Sequence, residues 1–244
     1  TGRNWRKSLS SYSITAIHAL PDGGIIAGAS PNPGASIPTN GGAFLSVDTG
    51  RTWRGLGLTD KDITQLALSA SGTIFALADG GVYRYTDAAG SWVPVNKIVS
   101  PFTSLVTAPP DILIATSEAA GMFRSSDEGE VWGGGELRGK DVYSMAVNDS
   151  DDVIVGTLGS RVYRSLFGGS SWVQVQSICD YVYSFAQLPG VIYAGTDCGV
   201  FQSIDNGASW KKISDSSITG SVYSVGVTGD GTIFAGTGFG VYRT

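Results

Sequence analysis

Few side chains in this 244-residue chain could carry acid–base, metal or redox chemistry. There is one histidine, His18, and there are two cysteines, Cys179 and Cys198. One imidazole cannot build a histidine-based metal site, and any Ser-His-Asp arrangement would have to centre on it. The two thiols are either a disulfide, which implies an oxidising compartment, or free cysteines. Ten arginines and 21 acidic residues supply the charge chemistry. Three tyrosines, Tyr143, Tyr183 and Tyr223, recur at intervals of 40 residues. Such spacing matters only if the elements beneath it repeat as well.

The composition says what those elements are. Thirty-five residues are Gly and only 15% are charged, with four Glu in total. Ordinary usage is about 7% Gly and about 25% charged residues. A chain poor in Glu and Lys and rich in Gly, Ser, Thr, Val and Tyr suits short strands and tight turns, not long helices. A net charge of −5 argues against a nucleic-acid partner, since phosphate binding needs a basic face. No apolar run is long enough for a membrane-spanning helix. The sequence opens on Thr1 without a signal peptide and reads as a piece of a larger, extracytoplasmic protein.

The repeat is marked by tryptophan. Trp5, Trp53, Trp92, Trp132, Trp172 and Trp210 are separated by 48, 39, 40, 40 and 38 residues. Related octets precede five of them: SVDTGRTW at 46–53, YTDAAGSW at 85–92, SSDEGEVW at 125–132, SLFGGSSW at 165–172 and SIDNGASW at 203–210. The sixth is split between the C-terminal VYRT and the N-terminal TGRNW. Each period also holds β-branched and aromatic runs such as VYSFAQ at 182–187, IYAGT at 192–196 and GVYRY at 81–85, with a short run after each Trp. Four strands per period and six periods predict an all-β, six-bladed propeller over residues 1–244. In it the run Trp5–Ser8 supplies the outer strand of the last blade, so that no sheet edge stays open.

The octet S-x-D-x-G-x-[ST]-W resembles the Asp-box, or BNR, repeat of sialidases, sortilin-type receptors, xyloglucanases and photosystem II assembly-factor-like proteins. The resemblance covers the whole chain. It implies the propeller fold and several different functions. Asp48, Asp87, Asp127 and Asp205, with Trp53, Trp92, Trp132, Trp172 and Trp210, read as turn-forming scaffold. Phe167 replaces the Asp of the fifth copy, which a catalytic acid would not allow. One carboxylate per turn is too few for calcium, so neither a metal nor a cofactor is called for.

Departures from the repeat point to one face of the propeller, where loops between blades meet loops joining second and third strands. Tyr143, Tyr183 and Tyr223 share one register there, with Thr15, Thr64 and Thr103 in the other blades. They form either an aromatic arc for a sugar or other flat ligand, or packing between blades. His18 stands where other repeats have Ala, Val or Gly, and reads as either a site residue or a ring accommodated by the fold. Arg138, Arg161, Asp180 and Tyr181 complete the candidate ligand-binding set. The proline-containing loop 30–42 is a candidate flap, and Cys179 and Cys198 fall on neighbouring loops of one blade.

The reading is a non-catalytic module that binds a protein or carbohydrate at this face, a monomeric part of a larger chain. The alternative is a glycoside hydrolase. Sialidases use three arginines, and only Arg138 and Arg161 lie off the repeated registers near this face; the F/Y-R-I-P motif is also absent. Xyloglucanases use a cleft between two propellers, which a single one does not supply. Photosystem II assembly factors typically show seven blades and an arginine-rich patch, and neither is evident here.

Overall fold

Branched and aromatic side chains pack well on a pleated surface, while Gly, Asp and Ser accept turn geometry. The computed structural model describes the chain except for residues 1–7, 10–11, 33, 35–39, 87–89, 96–100, 118–119, 149, 160, 167–168 and 176. The described residues form 23 strands and no helix. None of them belongs to a helix long and apolar enough to cross a membrane.

The strands form six antiparallel sheets, each from strands consecutive in sequence; five have four strands and one has three. The first contains β1 (Ser13–Ala19), β2 (Ile25–Ser30), β3 (Gly42–Ser46) and β4 (Arg54–Gly57). The second contains β5 (Ile63–Leu68), β6 (Ile74–Ala78), β7 (Gly81–Thr86) and β8 (Ser91–Pro94). The third contains β9 (Ser104–Ala108), β10 (Ile112–Ser117), β11 (Gly121–Ser125) and β12 (Gly133–Glu136). The fourth contains β13 (Val142–Val147), β14 (Val153–Thr157), β15 (Arg161–Leu166) and β16 (Ser171–Gln174). The fifth contains β17 (Val182–Leu188), β18 (Val191–Thr196), β19 (Gly199–Ser203) and β20 (Lys211–Lys212). The last contains β21 (Val222–Val227), β22 (Ile233–Thr237) and β23 (Gly240–Arg243). The expected outer strand from Trp5 lies outside the described residues, as do Asp87, Phe167 and part of the 30–42 loop.

The protein divides into two units, residues 1–105 with 125–132, and residues 106–124 with 133–244. In the first, Ile26, Ala43 and Leu56 of the first sheet share a buried cluster with Ile63, Ala76 and Ala78 of the second. In the second unit the pattern recurs three times. Ile114 and Met122 pack with Val153, Val155 and Tyr163. Ile154 and Val162 pack with Val182, Ile192 and Trp210. Tyr193 and Val200 pack with Val222 and Ile233. Within each unit, successive sheets thus bury apolar faces against one another, as in other repeat architectures.

Glycine in the second strand allows the sheets to approach. A Cβ on Gly156 would lie 2.4 Å from Val182 Cβ and 2.9 Å from Ser144 Oγ. Hydroxyl groups bridge the same gap. Ser144 Oγ donates to the Val182 carbonyl at 2.8 Å, and Ser184 Oγ accepts from the Val225 N–H at 2.9 Å.

The octets fold as self-satisfying turns. Asp48 Oδ1 accepts from the Arg51 and Thr52 N–H groups at 2.9 and 2.8 Å, and Oδ2 from Thr52 Oγ1 at 2.6 Å. Ser46 Oγ donates to Asp48 and accepts from the Gly50 N–H, both at 2.8 Å. Asp205 is held in the same way by Ser203 and Ser209, and Asp127 by Ser125 and the Val131 N–H. Ser165 still accepts from Gly169 in the copy that has lost its Asp. The indoles serve two roles. Trp53 and Trp210 donate to Gly50 and Gly207 of their own turns, whereas Trp92 and Trp132 donate to Leu56 and Val95 of the preceding sheet. Trp172 packs on the cluster between the third and fourth sheets. Of the third-strand arginines, Arg164 pairs with the buried Asp152 at 2.7 Å and Arg84 with Glu128 and Glu130.

These turn carboxyls lie below the ordinary aspartate range. For Asp48 the largest cause is the Thr52 hydroxyl, and for Asp127 the Val131 N–H. For Asp205, burial acts in the opposite direction and is outweighed by Ser209 and Ser203. Lowered native values mean that the unfolded chain takes up protons first as pH falls. The urea midpoint should therefore hold steady from neutral pH down to about 5 and fall below about 4. Replacing all three by Asn should flatten that acid limb; an unchanged acid limb would contradict the assignment. Separately, Gly156→Ala should lower unfolding free energy by about 1–3 kcal/mol through overpacking. Gly226→Ala, where an added Cβ meets nothing within 4 Å, should leave it within about 0.5 kcal/mol. Equal urea curves for the two variants would refute the close-approach argument.

Candidate functional site

The pairing between first and second strands slips once, at the same place, in five sheets. The slips fall between Ile14 and Ala16, Ile63 and Gln65, Val142 and Ser144, Val182 and Ser184, and Val222 and Ser224. Thr15, Thr64, Tyr143, Tyr183 and Tyr223 therefore occupy β-bulges. A bulge leaves one residue out of the ladder and re-aims its side chain.

What stands at the bulge depends on which residue reaches the backbone. In the first unit Thr15 Oγ1 donates to the carbonyls of Gly28 and Ile63, and Thr64 Oγ1 to that of Leu77. In the second unit the serine after the tyrosine makes the bond to the next sheet, as Ser144 and Ser184 do. That substitution releases the bulge for a large side chain.

The released rings meet. Tyr143 contacts Tyr181 edge to face at 5.7 Å and 79°. Tyr181 stacks on Tyr183 at 5.6 Å and 6°, and Tyr183 leans on Tyr223 at 5.1 Å and 51°. Four tyrosines from three successive sheets thus form one ladder. Its ends are open, with Tyr143 51% and Tyr223 57% exposed, while Tyr181 and Tyr183 are half-buried. None of the four phenol oxygens has a hydrogen-bond partner among the described residues.

Tyr181 is fixed from two sides. Its N–H donates to Asp197 Oδ1 at 2.9 Å, and its carbonyl accepts from the Asp197 N–H at 3.2 Å. Cys179 and Cys198, adjacent to this clip, are bonded to each other across a Cα separation of 6.1 Å. The second sheet has a matching clip, in which the Asp62 N–H donates to Asp79 Oδ1. There Asp62 stands at the position of Tyr181, and the other oxygen of Asp79 takes Lys61 at 2.8 Å.

The other candidates are not rings of the ladder, although Asp180 directly precedes Tyr181 in the chain. His18 pairs with Ile26 three residues beyond Thr15, about 10 Å along its own strand from the bulge level. Arg138 folds back over its own sheet, with Nη2 3.5 Å from where a Cβ on Gly135 would sit. Arg161 opens β15, exposed, and its carbonyl accepts from Thr157. Asp180 is exposed, and its carbonyl accepts from the Gly159 N–H.

Two residues of this region escape sequence reasoning. Phe239, 80% exposed, lies between two glycines in the hairpin after β22, and Leu158, 38% exposed, takes the matching hairpin after β14. A Cβ on Gly238 would lie 3.9 Å from Tyr223 Cε2, which sets the Phe239 hairpin beside the end of the ladder. The available signal was an aromatic residue in a two-residue turn that reads Asp79-Gly80 in the second sheet and Asp197-Cys198 in the fifth. Among the described residues no three His, Cys, Asp or Glu side chains group to hold a metal. The chemistry on offer is aromatic contact plus hydroxyl hydrogen bonding.

No protein-family model matches the chain, and no curated protein matches it. Its structure is similar to that of YCF48 bound to D1 peptide, with a TM-score of 0.70 and 14% identity over 96% of this chain and 78% of that one. It is similar to the extracellular domain of the putative one component system BT4673 from B. thetaiotaomicron, with a TM-score of 0.65 and 14% identity over 99% of this chain. It is similar to the GH74 enzyme of Niastella koreensis, with a TM-score of 0.69 and 20% identity over 94% of this chain. The chain spans 40% of the BT4673 domain and 36% of the GH74 enzyme. These likenesses are of fold, and the shared fold is the β-propeller.

Proposed function

We propose that the protein is a non-catalytic recognition module that takes protein or carbohydrate ligands on Tyr143, Tyr181, Tyr183 and Tyr223. The scaffold in this reading is one six-bladed propeller over residues 1–244, built on Asp-box repeats. The run Trp5–Ser8 completes its sixth sheet. The observation that carries the reading is the ladder itself, four rings in series with open ends and free phenols. Tyrosine presents a rigid apolar body with a polar tip, which is why it recurs in recognition surfaces. The peptide held by YCF48 supports ligand binding by this fold. The BT4673 extracellular domain and the paired cysteines support a place outside the cytoplasm.

The GH74 likeness favours glycoside hydrolysis as the second reading. Hydrolysis needs two carboxyls about 5–9.5 Å apart beside the substrate. The Asp197 carboxylate, next to the ladder, is engaged by the Tyr181 N–H.

A panel of immobilised glycans and displayed peptides should yield ligands that the Tyr143→Ala/Tyr223→Ala variant binds at least tenfold more weakly. Both rings lie at the surface, so its thermal unfolding should match that of the wild type. Undiminished binding of every ligand would overturn the site. Release of reducing ends from xyloglucan by the wild-type protein would overturn the non-catalytic reading.

A further inference from the structure

Tyr181 differs from the other rings of the ladder in how it is held. Tyr143, Tyr183 and Tyr223 stand on bulges within β13, β17 and β21. Tyr181 lies ahead of β17, and its backbone N–H and carbonyl are both bonded to Asp197. It is also the ring that Tyr143 and Tyr183 both contact, so the ladder is continuous only while this clip is shut. The Cys179–Cys198 bond crosses the mouth of the clip, two residues before Tyr181 and one after Asp197. The second sheet secures its matching clip with the Lys61–Asp79 ion pair. In the fifth sheet Asp180 stands in place of that lysine, and the covalent bond is there instead.

Cys179 sits where a cysteine has no local reason to be. Three residues ahead of β5, β13 and β17 the backbone is left-handed, at Asp60, Gly139 and Cys179, with φ of 64°, 70° and 71°. Glycine tolerates that region and Asp is enriched in it, whereas cysteine is neither. The backbone of Cys179 is thus held against its own preference while the bond to Cys198 exists. The segment is short and anchored at both ends, since Ile178 and Val182 are 1% and 0% exposed and share one cluster. Residues 179–181 can therefore reorganise while the sheet stays intact. Cys198 is exposed and Cys179 half-buried, so the bond is open to attack from solvent.

We propose that Cys179–Cys198 is a redox latch on the tyrosine ladder, shut when oxidised and opened by a dithiol. A thiolate of the dithiol attacks the exposed Cys198 sulfur and the S–S bond breaks. The Cys179 sulfur leaves with the bonding pair and takes up a proton. The second thiol then displaces Cys198, so the protein gains two electrons and two protons and the dithiol becomes a disulfide. With the bond cut, Cys179 leaves the left-handed region, the clip opens, and Tyr181 no longer joins Tyr143 to Tyr183. The ladder is divided in a reducing compartment and complete in an oxidising one. That the divided ladder binds ligand more weakly rests on the function proposed above; the latch itself does not.

Amide hydrogen exchange tests the latch on the full chain, with dithiothreitol as the reductant and no ligand needed. Dithiothreitol should release both thiols from the folded protein, and the Tyr181 and Asp197 amides should then exchange at least tenfold faster. The Asp62 and Asp79 amides, in the clip without cysteines, should keep their rates, as should the Val225 amide bound to Ser184. Cys179→Ser/Cys198→Ser should match the reduced protein and show no response to dithiothreitol. A bond that resists dithiothreitol until the protein unfolds, or unchanged exchange at Tyr181, would overturn the inference. So would faster exchange at Val225 as well, which would make the disulfide a support of the whole unit. With any ligand found on the ladder, reduction should weaken binding at least fivefold. Unchanged binding alongside faster Tyr181 exchange would remove Tyr181 from the proposed site while upholding the latch.

Discussion

The hydroxyl bridge between neighbouring sheets is the constraint on which the rest of this structure depends. Ser144 reaches the Val182 carbonyl and Ser184 the Val225 N–H, both below 3 Å. Side chains this short can span the gap only if the sheets approach to backbone distance. The second strand must then be nearly bare at that level, which accounts for Gly156 opposite Val182 and Gly28 opposite Ile63. The first strand must also give up one rung of its ladder there, which accounts for the bulge. The AGT-like and VYS-like runs, which look independent in the sequence, are two sides of one contact.

The tyrosine ladder follows from who makes that bridge. Where threonine makes it from the bulge itself, the bulge side chain is consumed, as with Thr15. Moving the hydroxyl one residue along leaves the bulge free at little cost to the scaffold, because the bond to the next sheet survives. Three successive repeats use that freedom to hold tyrosine, and Tyr181 bridges the distance between two of them. An exposed aromatic surface has therefore been made by relocating a structural bond rather than by adding a loop. It stays rigid because each ring stands on a strand or a pinned segment.

Much of this was legible in the sequence, for a physical reason. Turn chemistry and strand alternation are local, so a repeated turn repeats its letters. The octets, the strand runs and the common register of Tyr143, Tyr183 and Tyr223 could be read directly. The third sheet shows the limit of local reading. Its first run begins at Phe102 by pattern, but the strand begins at Ser104, because the Phe102 N–H is given to the Gly80 carbonyl. The bulge was invisible because a slip of register leaves no mark on alternation within one strand. The stacking of Tyr181 on Tyr183 goes with the clip to Asp197, a contact between residues 16 apart that no local pattern announces. Phe239 was missed because an exposed aromatic residue in a turn has no partner in sequence to announce it.

The ionisable groups bear on catalysis from an independent direction. Asp48, Asp79, Asp127, Asp205, Asp215 and Asp230 are all displaced below the ordinary carboxyl range. In most the leading cause is a hydrogen bond from a nearby hydroxyl, amide or ammonium group; in Asp205 such bonds outweigh burial. A hydrogen bond to the charged form makes a carboxyl a better-held anion and a poorer proton donor. Glycoside hydrolysis demands the reverse of one member of its pair, a carboxyl raised by an apolar pocket so that it stays protonated at neutral pH. The turns that give this scaffold its stability thus bind their carboxylates in the state least useful to an acid catalyst. The ladder offers hydroxyls and rings that need no change of protonation to act.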